Sequence, residues 1–228
     1  MGNDTYIAIG LAQTVAEMAD TLIAPPVWLG WAPRMVAYTG SMTIRSETLT
    51  EMLVDICESL MAHGFERFYI INGHRRENLP PMEIACTRIR YETGALAAIL
   101  DPSYFGMEEQ VRLSEGNHNI QSHACGTETA QMMYIDRTLV DEESFKDSLP
   151  ELMPNMDHVV WINDHASYYD TPQEVRTYRG EDGVRGDVTW ATVERGEALH
   201  NALAKGMAEY IIRSQKMPLQ ISIPRPIA

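Results

Sequence analysis

The feature that most limits how this chain can fold is the run Phe68-Tyr69-Ile70-Ile71, followed at once by Asn72-Gly73-His74. Four consecutive β-favouring residues without polar alternation suit a strand covered on both faces, as in a parallel sheet, because a strand with one wet face would alternate. The flanks agree with this. Upstream, Ser46 precedes Glu47 and an apolar series at Leu49, Met52, Leu53, Ile56 and Leu60 that stops at His63-Gly64, which reads as a capped helix closed by a glycine. Downstream, Pro80-Pro81 suits a helix start, and Met82, Ala85, Cys86 and Ile89 form an apolar face. Thr93-Gly94 closes that helix before a second strand from Leu96 to Leu100.

The alternation extends in both directions. Ile7, Leu11, Val15 and Met18 recur at helical spacing, and Leu22-Ile23-Ala24 ahead of Pro25-Pro26 reads as a short buried strand. A helix is expected from near Thr127, carrying Ala130, Met133 and Tyr134, and a strand at Val159-Val160-Trp161-Ile162. The last helix should run from about Thr189 to Arg213, with Leu199, Leu203, Met207, Tyr210 and Ile211 on one face. Neither a fixed-period repeat nor a flexible linker interrupts the pattern. The expectation is one α/β domain over residues 1–228, a three-layer αβα arrangement around a mainly parallel sheet, with ligands bound beyond the carboxyl ends of the strands.

Charge narrows the partners. The 32 acidic and 18 basic residues give a net charge of −14, which repels nucleic acid and acidic membrane faces and leaves a small-molecule substrate as the expected partner. Cys57, Cys86 and Cys125 form no CxxC pair and read as buried free thiols of a reducing cytosol. No apolar run is long enough to cross a bilayer, and the chain opens Met1-Gly2-Asn3-Asp4 without a signal-peptide pattern, so a soluble cytoplasmic protein is expected. The 14 methionines fall mainly at core spacing and read as packing.

Two loop-to-helix junctions carry candidate chemistry. In Asn72-Gly73-His74-Arg75-Arg76-Glu77-Asn78 the glycine permits a sharp turn, from which His74 and Glu77 project as nitrogen and oxygen donors. Taken alone, His74 could equally cap the loop while Glu77 pairs with Arg75 or Arg76. In Ser122-His123-Ala124-Cys125-Gly126-Thr127-Glu128-Thr129 the carboxylate falls in a first helical turn, where the helix dipole favours its ionised form. Glu128 could then serve as a ligand and His123 act on a metal-bound water, or the two could be a helix cap and a surface histidine. Two such His/Glu pairs on one sheet can converge on a single crevice. Trp28 and Trp31 lie in a Gly/Pro-flanked loop where a lid could sit, and His118 could line the site or lie in a solvent loop. His63, His158, His165 and His200 read as structural or exposed.

Asp4, the Ile71-Asn72-Gly73-His74 strand-loop with Glu77-Asn78, the His123 to Glu128 segment and Gly183-Val184-Arg185-Gly186-Asp187 occur in the order seen in the creatininase family of metal-dependent amidohydrolases, which the chain resembles over nearly its whole length. The resemblance implies a mostly parallel α/β fold and homo-oligomers, commonly hexamers. It implies Asp4, His74, Glu128 and Glu77 as ligands of one or two divalent metals, with His123 as the proton-handling residue. Zinc, manganese and iron(II) all suit a mixed His/carboxylate shell. The family pattern also has a Glu-x-His-Gly-x-His segment shortly before the aspartate matched by Asp4, and only three residues precede Asp4 here, so one firmly held metal is expected. The loop after His74 is one residue longer than the family's NGH-x-x-N, and Arg75 and Arg76 suggest an anionic group on the substrate. The expected activity is hydrolysis of a C–N bond in an amide, cyclic amide or formamide. The alternative is a non-catalytic structural or regulatory subunit that keeps the shell with a degenerate metal site.

Overall fold

The computed structural model describes residues 2–113, 123–145, 147–148, 171–179, 183–184 and 186–219. The expected strand at 159–162, together with His118, His158, His165 and Arg185, lies outside the described residues.

The apolar run becomes β1 (Arg67–Ile71), which pairs in parallel with β2 (Leu96–Leu100), Arg67 opposite Leu96 and Ile71 opposite Leu100. Parallel neighbours need a crossover. Here it is α3 (Arg75–Thr93), closed by Gly94 in the left-handed conformation with its N–H on the Arg90 carbonyl. Side chains alternate across a strand, and β1 divides its residues accordingly. Phe68 and Ile70 pack on one side among Leu49, Leu53, Val54 and Cys57 of α2 (Ser46–Met61) and Met82, Ala85 and Ile89 of α3. Tyr69 and Ile71 pack on the other against Ile7, Leu11 and Val15 of α1 (Asn3–Ala19) and Leu199, Leu203 and Met207 of the last helix. This is helix on sheet on helix, the expected three layers.

The remaining described elements are α4 (Met107–Leu113), α5 (Gly126–Asp136), the short antiparallel pair β3 (Asp147–Ser148) and β4 (Gly186–Asp187), α6 (Pro172–Arg179) and α7 (Val193–Gln215). Helices α1, α5 and α7 form one packed layer. Gly196 of α7 abuts the Ala130 carbonyl of α5, where any Cβ would overlap it, so a glycine is what lets these two helices approach. Burying a leucine such as Leu11, Leu199 or Leu203 stabilises the layer by roughly 1.5–3 kcal/mol each.

Three readings need correction. The expected strand at Leu22–Ala24 is irregular and exposed, Leu22 by 82%. Its apolar residues precede two prolines, which remove ladder donors, and it has no neighbouring strand to pair with among the described residues. The helix expected from Pro80 begins at Arg75, with Pro80 and Pro81 inside it. Extended backbone at His74 caps the helix one full turn earlier, and that extra turn carries Glu77. The last helix begins at Val193 instead of Thr189, because the Thr192 hydroxyl accepts the Arg195 N–H as a cap.

Cys57, Cys86 and Cys125 are buried free thiols, and burial pushes Cys57 and Cys86 up to about 11 and about 12. Among the described residues no helix is long and apolar enough to cross a membrane.

Candidate metal centre

Three helix N-termini meet beyond the end of β1. Asn3 and Asp4 open α1, His74 caps α3 with Glu77 in its first turn, and Glu128 lies in the first turn of α5. Each helix start presents unpaired N–H groups and a partial positive charge, so carboxylates gathered there are favoured. The close approach is set by Gly73, whose backbone lies against the Asp4 carbonyl so tightly that a Cβ would overlap it. Asn72 fixes the turn: its N–H donates to the Leu100 carbonyl at 2.9 Å, and its side-chain oxygen accepts the His74 N–H at 3.1 Å.

The donors expected from sequence are thus brought together, although His74 − Asp4 is 70 residues and Glu128 − His74 is 54. His74 Nδ1 lies 2.9 Å from Asp4 Oδ2, and its Nε2 is hydrogen-bonded to Glu77 Oε2. The Asn3 amide nitrogen spans the two remaining carboxylates, donating to Glu128 Oε2 at 3.3 Å and to Asp4 Oδ1 at 3.4 Å. The Ala124 N–H also donates to Glu128 Oε2, at 2.7 Å. Ala124 has φ of 47°, a left-handed conformation that costs a non-glycine residue about 1 kcal/mol or more and here aims that N–H at the carboxylate.

The charge states follow from these contacts. Burial alone would lower His74, but hydrogen bonds and charge from Asp4 and Glu77 outweigh it and raise the imidazole to about 10. Burial would raise Glu77, but His74 and Arg34 outweigh it and hold the carboxyl at about 2. Glu128 goes the other way. Burial, then the charge of Asp4, push it up to about 8 against the opposing pull of the Ala124 N–H, His74 and Asn3.

Among the described residues no group of three or more His, Cys, Asp or Glu side chains is disposed to hold a metal as it stands. The donors are instead linked to one another by hydrogen bonds, His74 to Asp4 and Glu77, and Asn3 to Asp4 and Glu128. The donor chemistry nevertheless fits a divalent ion. Two carboxylates crowded enough for one to raise the other, beside an imidazole, form a set that a cation would relieve, at the cost of the protons now held.

Other expected residues are placed as follows. His123 is partly buried and lies one residue before Ala124, whose N–H holds Glu128. Arg75 is engaged: its Nε lies 3.2 Å from Asp101 Oδ2 and its guanidinium stands 4.6 Å from the centre of the Tyr104 ring. Arg76 is exposed. Trp31 is partly buried against the α2–α3 core, and its N–H donates to Asn78 Oδ1 at 2.9 Å. Trp28 is 58% exposed and meets Tyr6 of α1 edge to face, with centroids 6.2 Å apart. His63 is exposed and His200 is in the core.

Sequence reasoning missed Asn3 and Arg34. Arg34, in the 3-10 turn Pro33–Ala37, is buried and donates through Nε to Glu77 Oε1 at 2.5 Å. Nothing in its loop composition signals burial, whereas Asn3 was readable only as a neighbour of Asp4.

Comparison with known proteins agrees with this architecture. The 3-dehydro-scyllo-inosose hydrolase of Thermotoga maritima is 24% identical over 223 residues, spanning 90% of this chain and 70% of that protein. The mycofactocin precursor peptide peptidase of Mycolicibacterium smegmatis is 28% identical over 225 residues, spanning 94% of this chain and 78% of that protein. A manganese creatininase structure superposes with a TM-score of 0.74 at 22% identity over 96% of this chain and 85% of its own. A mutant creatininase of Zn–Zn type gives 0.73 at 21% identity over 96% and 84%. The family model for creatininase, described as creatinine amidohydrolase, matches residues 1–211, and the chain therefore belongs to the creatininase family.

Proposed function

We propose that this protein is a metal-dependent hydrolase that opens a C–N bond of an amide, cyclic amide or formamide. The observation that carries the reading is that Asp4, His74 and Glu128, from three separate helix starts, are gathered beyond β1 in one hydrogen-bonded cluster through Asn3. Family membership and the hydrolase and peptidase names of the relatives support a hydrolase. The manganese and zinc forms of the structural neighbours support a divalent metal.

Asp4, His74 and Glu128 would hold one such ion. When bound it supplies Lewis acidity, lowering the pKa of water towards ~7 and polarising a carbonyl. Around it the chain's own residues divide the remaining work. Asn3 keeps Asp4 and Glu128 together, the Ala124 N–H orients Glu128, and Asn72 fixes the His74 backbone. His123 carries the proton to the departing nitrogen. Trp28 and Arg76 are exposed towards solvent, from which substrate arrives, whereas Arg75 reaches it only by leaving Asp101 and Tyr104. The exposed apolar side chains of Met18, Leu22, Ile23 and Leu29 support assembly of several copies in a homo-oligomer.

Elemental analysis of the purified protein, paired with a hydrolysis screen over amides and formamides, tests the reading. Near-stoichiometric metal and metal-dependent turnover are expected, and a protein without either would be the non-catalytic subunit. Replacing His123 by Ala should lower turnover by roughly 10²–10⁴-fold with metal content unchanged. Loss of metal in that variant would make His123 a ligand.

A further inference from the structure

The end of β2 grips the loop that carries His74 on both sides of that residue. Before His74, the Asn72 N–H donates to the Leu100 carbonyl at 2.9 Å, and the Asn72 side-chain nitrogen reaches forward to the Arg75 carbonyl at 3.3 Å. After His74, the Arg75 side chain returns to Asp101, the residue next to Leu100, placing Nε 3.2 Å from Oδ2. Asp101 is a firm anchor. It is 5% exposed and caps the 3-10 turn Pro102–Tyr104, its Oδ1 accepting the Ser103 N–H at 2.9 Å and the Ser103 hydroxyl at 2.7 Å. Its Oδ2 is buried and faces the guanidinium. The same turn holds Arg75 a second time, since the guanidinium stands 4.6 Å from the centre of the Tyr104 ring and donates to the Tyr104 hydroxyl.

An ion pair between two mobile surface side chains fixes little. This one ends on a buried carboxylate in a capped turn, and a planar guanidinium can pair and stack at once. The helix itself holds His74 weakly at this point, because the Asn78 N–H meets the His74 carbonyl at 3.3 Å, beyond the usual range. Yet the imidazole must keep one ring plane to meet Asp4 with Nδ1 and Glu77 with Nε2. Resting on the metal-hydrolase reading above, we propose that Arg75 is a positioning residue: with Asp101 and Tyr104 it clasps the His74 loop to the end of β2 and so holds the imidazole in the orientation that serves the metal centre. The clasp occupies the guanidinium, which therefore orients a ligand instead of receiving substrate.

Two readouts on Arg75→Met, Asp101→Asn and the double variant test the clasp. Asp101→Asn keeps an oxygen for Ser103 and removes the charge that Arg75 meets, while the double variant leaves neither charge without the other. In the metal-free protein, nitrogen-resolved NMR of the histidine rings should show a His74 ring N–H protected from exchange with water, and each variant should lose that protection. In competition titrations the Mn²⁺ dissociation constant should rise about 10–100-fold in each single variant, the usual worth of a residue that orients a ligand, and no further in the double. If Arg75→Met does not fold, Asp101→Asn and the double variant decide. Protection retained in a folded variant, an unchanged dissociation constant, or losses that multiply in the double variant would each overturn the proposal. An unaltered chain that binds no Mn²⁺ would remove the metal reading, and the ring N–H would then judge the clasp by itself.

Discussion

Two histidines in this molecule are withdrawn from water, and their surroundings drive them in opposite directions. His200 sits in the α1–α5–α7 layer at 1% exposure, with Nε2 2.9 Å from the Thr14 hydroxyl and the Tyr134 ring 5.2 Å away between centroids. Burial lowers its pKa against a smaller opposing pull from the Gly10 backbone, so it is a neutral packing residue. His74, 16% exposed at its side chain, has a carboxylate on each ring nitrogen and is raised to about 10. Burial alone makes a histidine inert. Burial among carboxylates at helix starts makes one that holds its proton, and on the proposed function a cation would displace it.

Replacing each histidine separates the two roles, and the largest effect belongs to His74. His74→Ala should weaken divalent-metal binding by more than ~100-fold, beyond the 10–100-fold typical of residues that only support ligands, as measured by metal-competition titration. Retention of metal within tenfold would break the contrast.

Stability against pH comes next in size. His74 contributes stability that is fully present below its unfolded value of 6.5 and lost as pH rises to about 10; Glu128, raised from 4.5 to about 8, also loses its contribution as pH rises. Glu77, lowered from 4.5 to about 2, contributes above 4.5 and loses that contribution as pH falls towards 2. His200, lowered from 6.5, opposes folding as pH falls below that value. The metal-free protein should therefore be most stable in mild acid and lose stability, read as a falling Tm, between pH 6 and 9. A Tm that climbs across that interval would contradict the protonated His74 cluster.

The smallest effect is at His200. Its Nδ1 has no hydrogen-bond partner among the described residues, and the Thr14 hydroxyl can still donate to the Gly10 carbonyl at 3.3 Å. His200→Leu should change stability by no more than about 1.5 kcal/mol, flatten the acid-side loss and leave metal binding alone. Altered metal affinity in this variant would show that the core layer and the metal centre are coupled.

Much of this contrast is legible in the sequence, and the remainder has physical reasons for being hidden. The β1 run, the α3 crossover ending at Gly94 and the Leu199–Ile211 face are periodic, and periodicity reports burial directly. Leu22–Ala24 fits a strand locally and fails because pairing is a property of neighbours. Glu128 can be named in advance from its first helical turn and His74 from the turn after β1, whereas Asp4 is named only by the family resemblance. Their hydrogen bonding cannot be read in this way. It depends on Gly73 meeting a carbonyl from α1, on Ala124 adopting positive φ, and on Arg34 folding inward from an irregular loop.

The central claim is that His74 and Glu128 hold protons which a divalent metal displaces. Calorimetric titration of the metal-free protein with Mn²⁺ at pH 7, repeated in buffers of different ionisation enthalpy, counts those protons. With His74 at about 10 and Glu128 at about 8, binding of one ion should release more than one proton, approaching two. The count should fall towards one in Glu128→Gln and stay unchanged in His200→Leu. Binding without proton release, or with the same release in His74→Ala, would contradict the account.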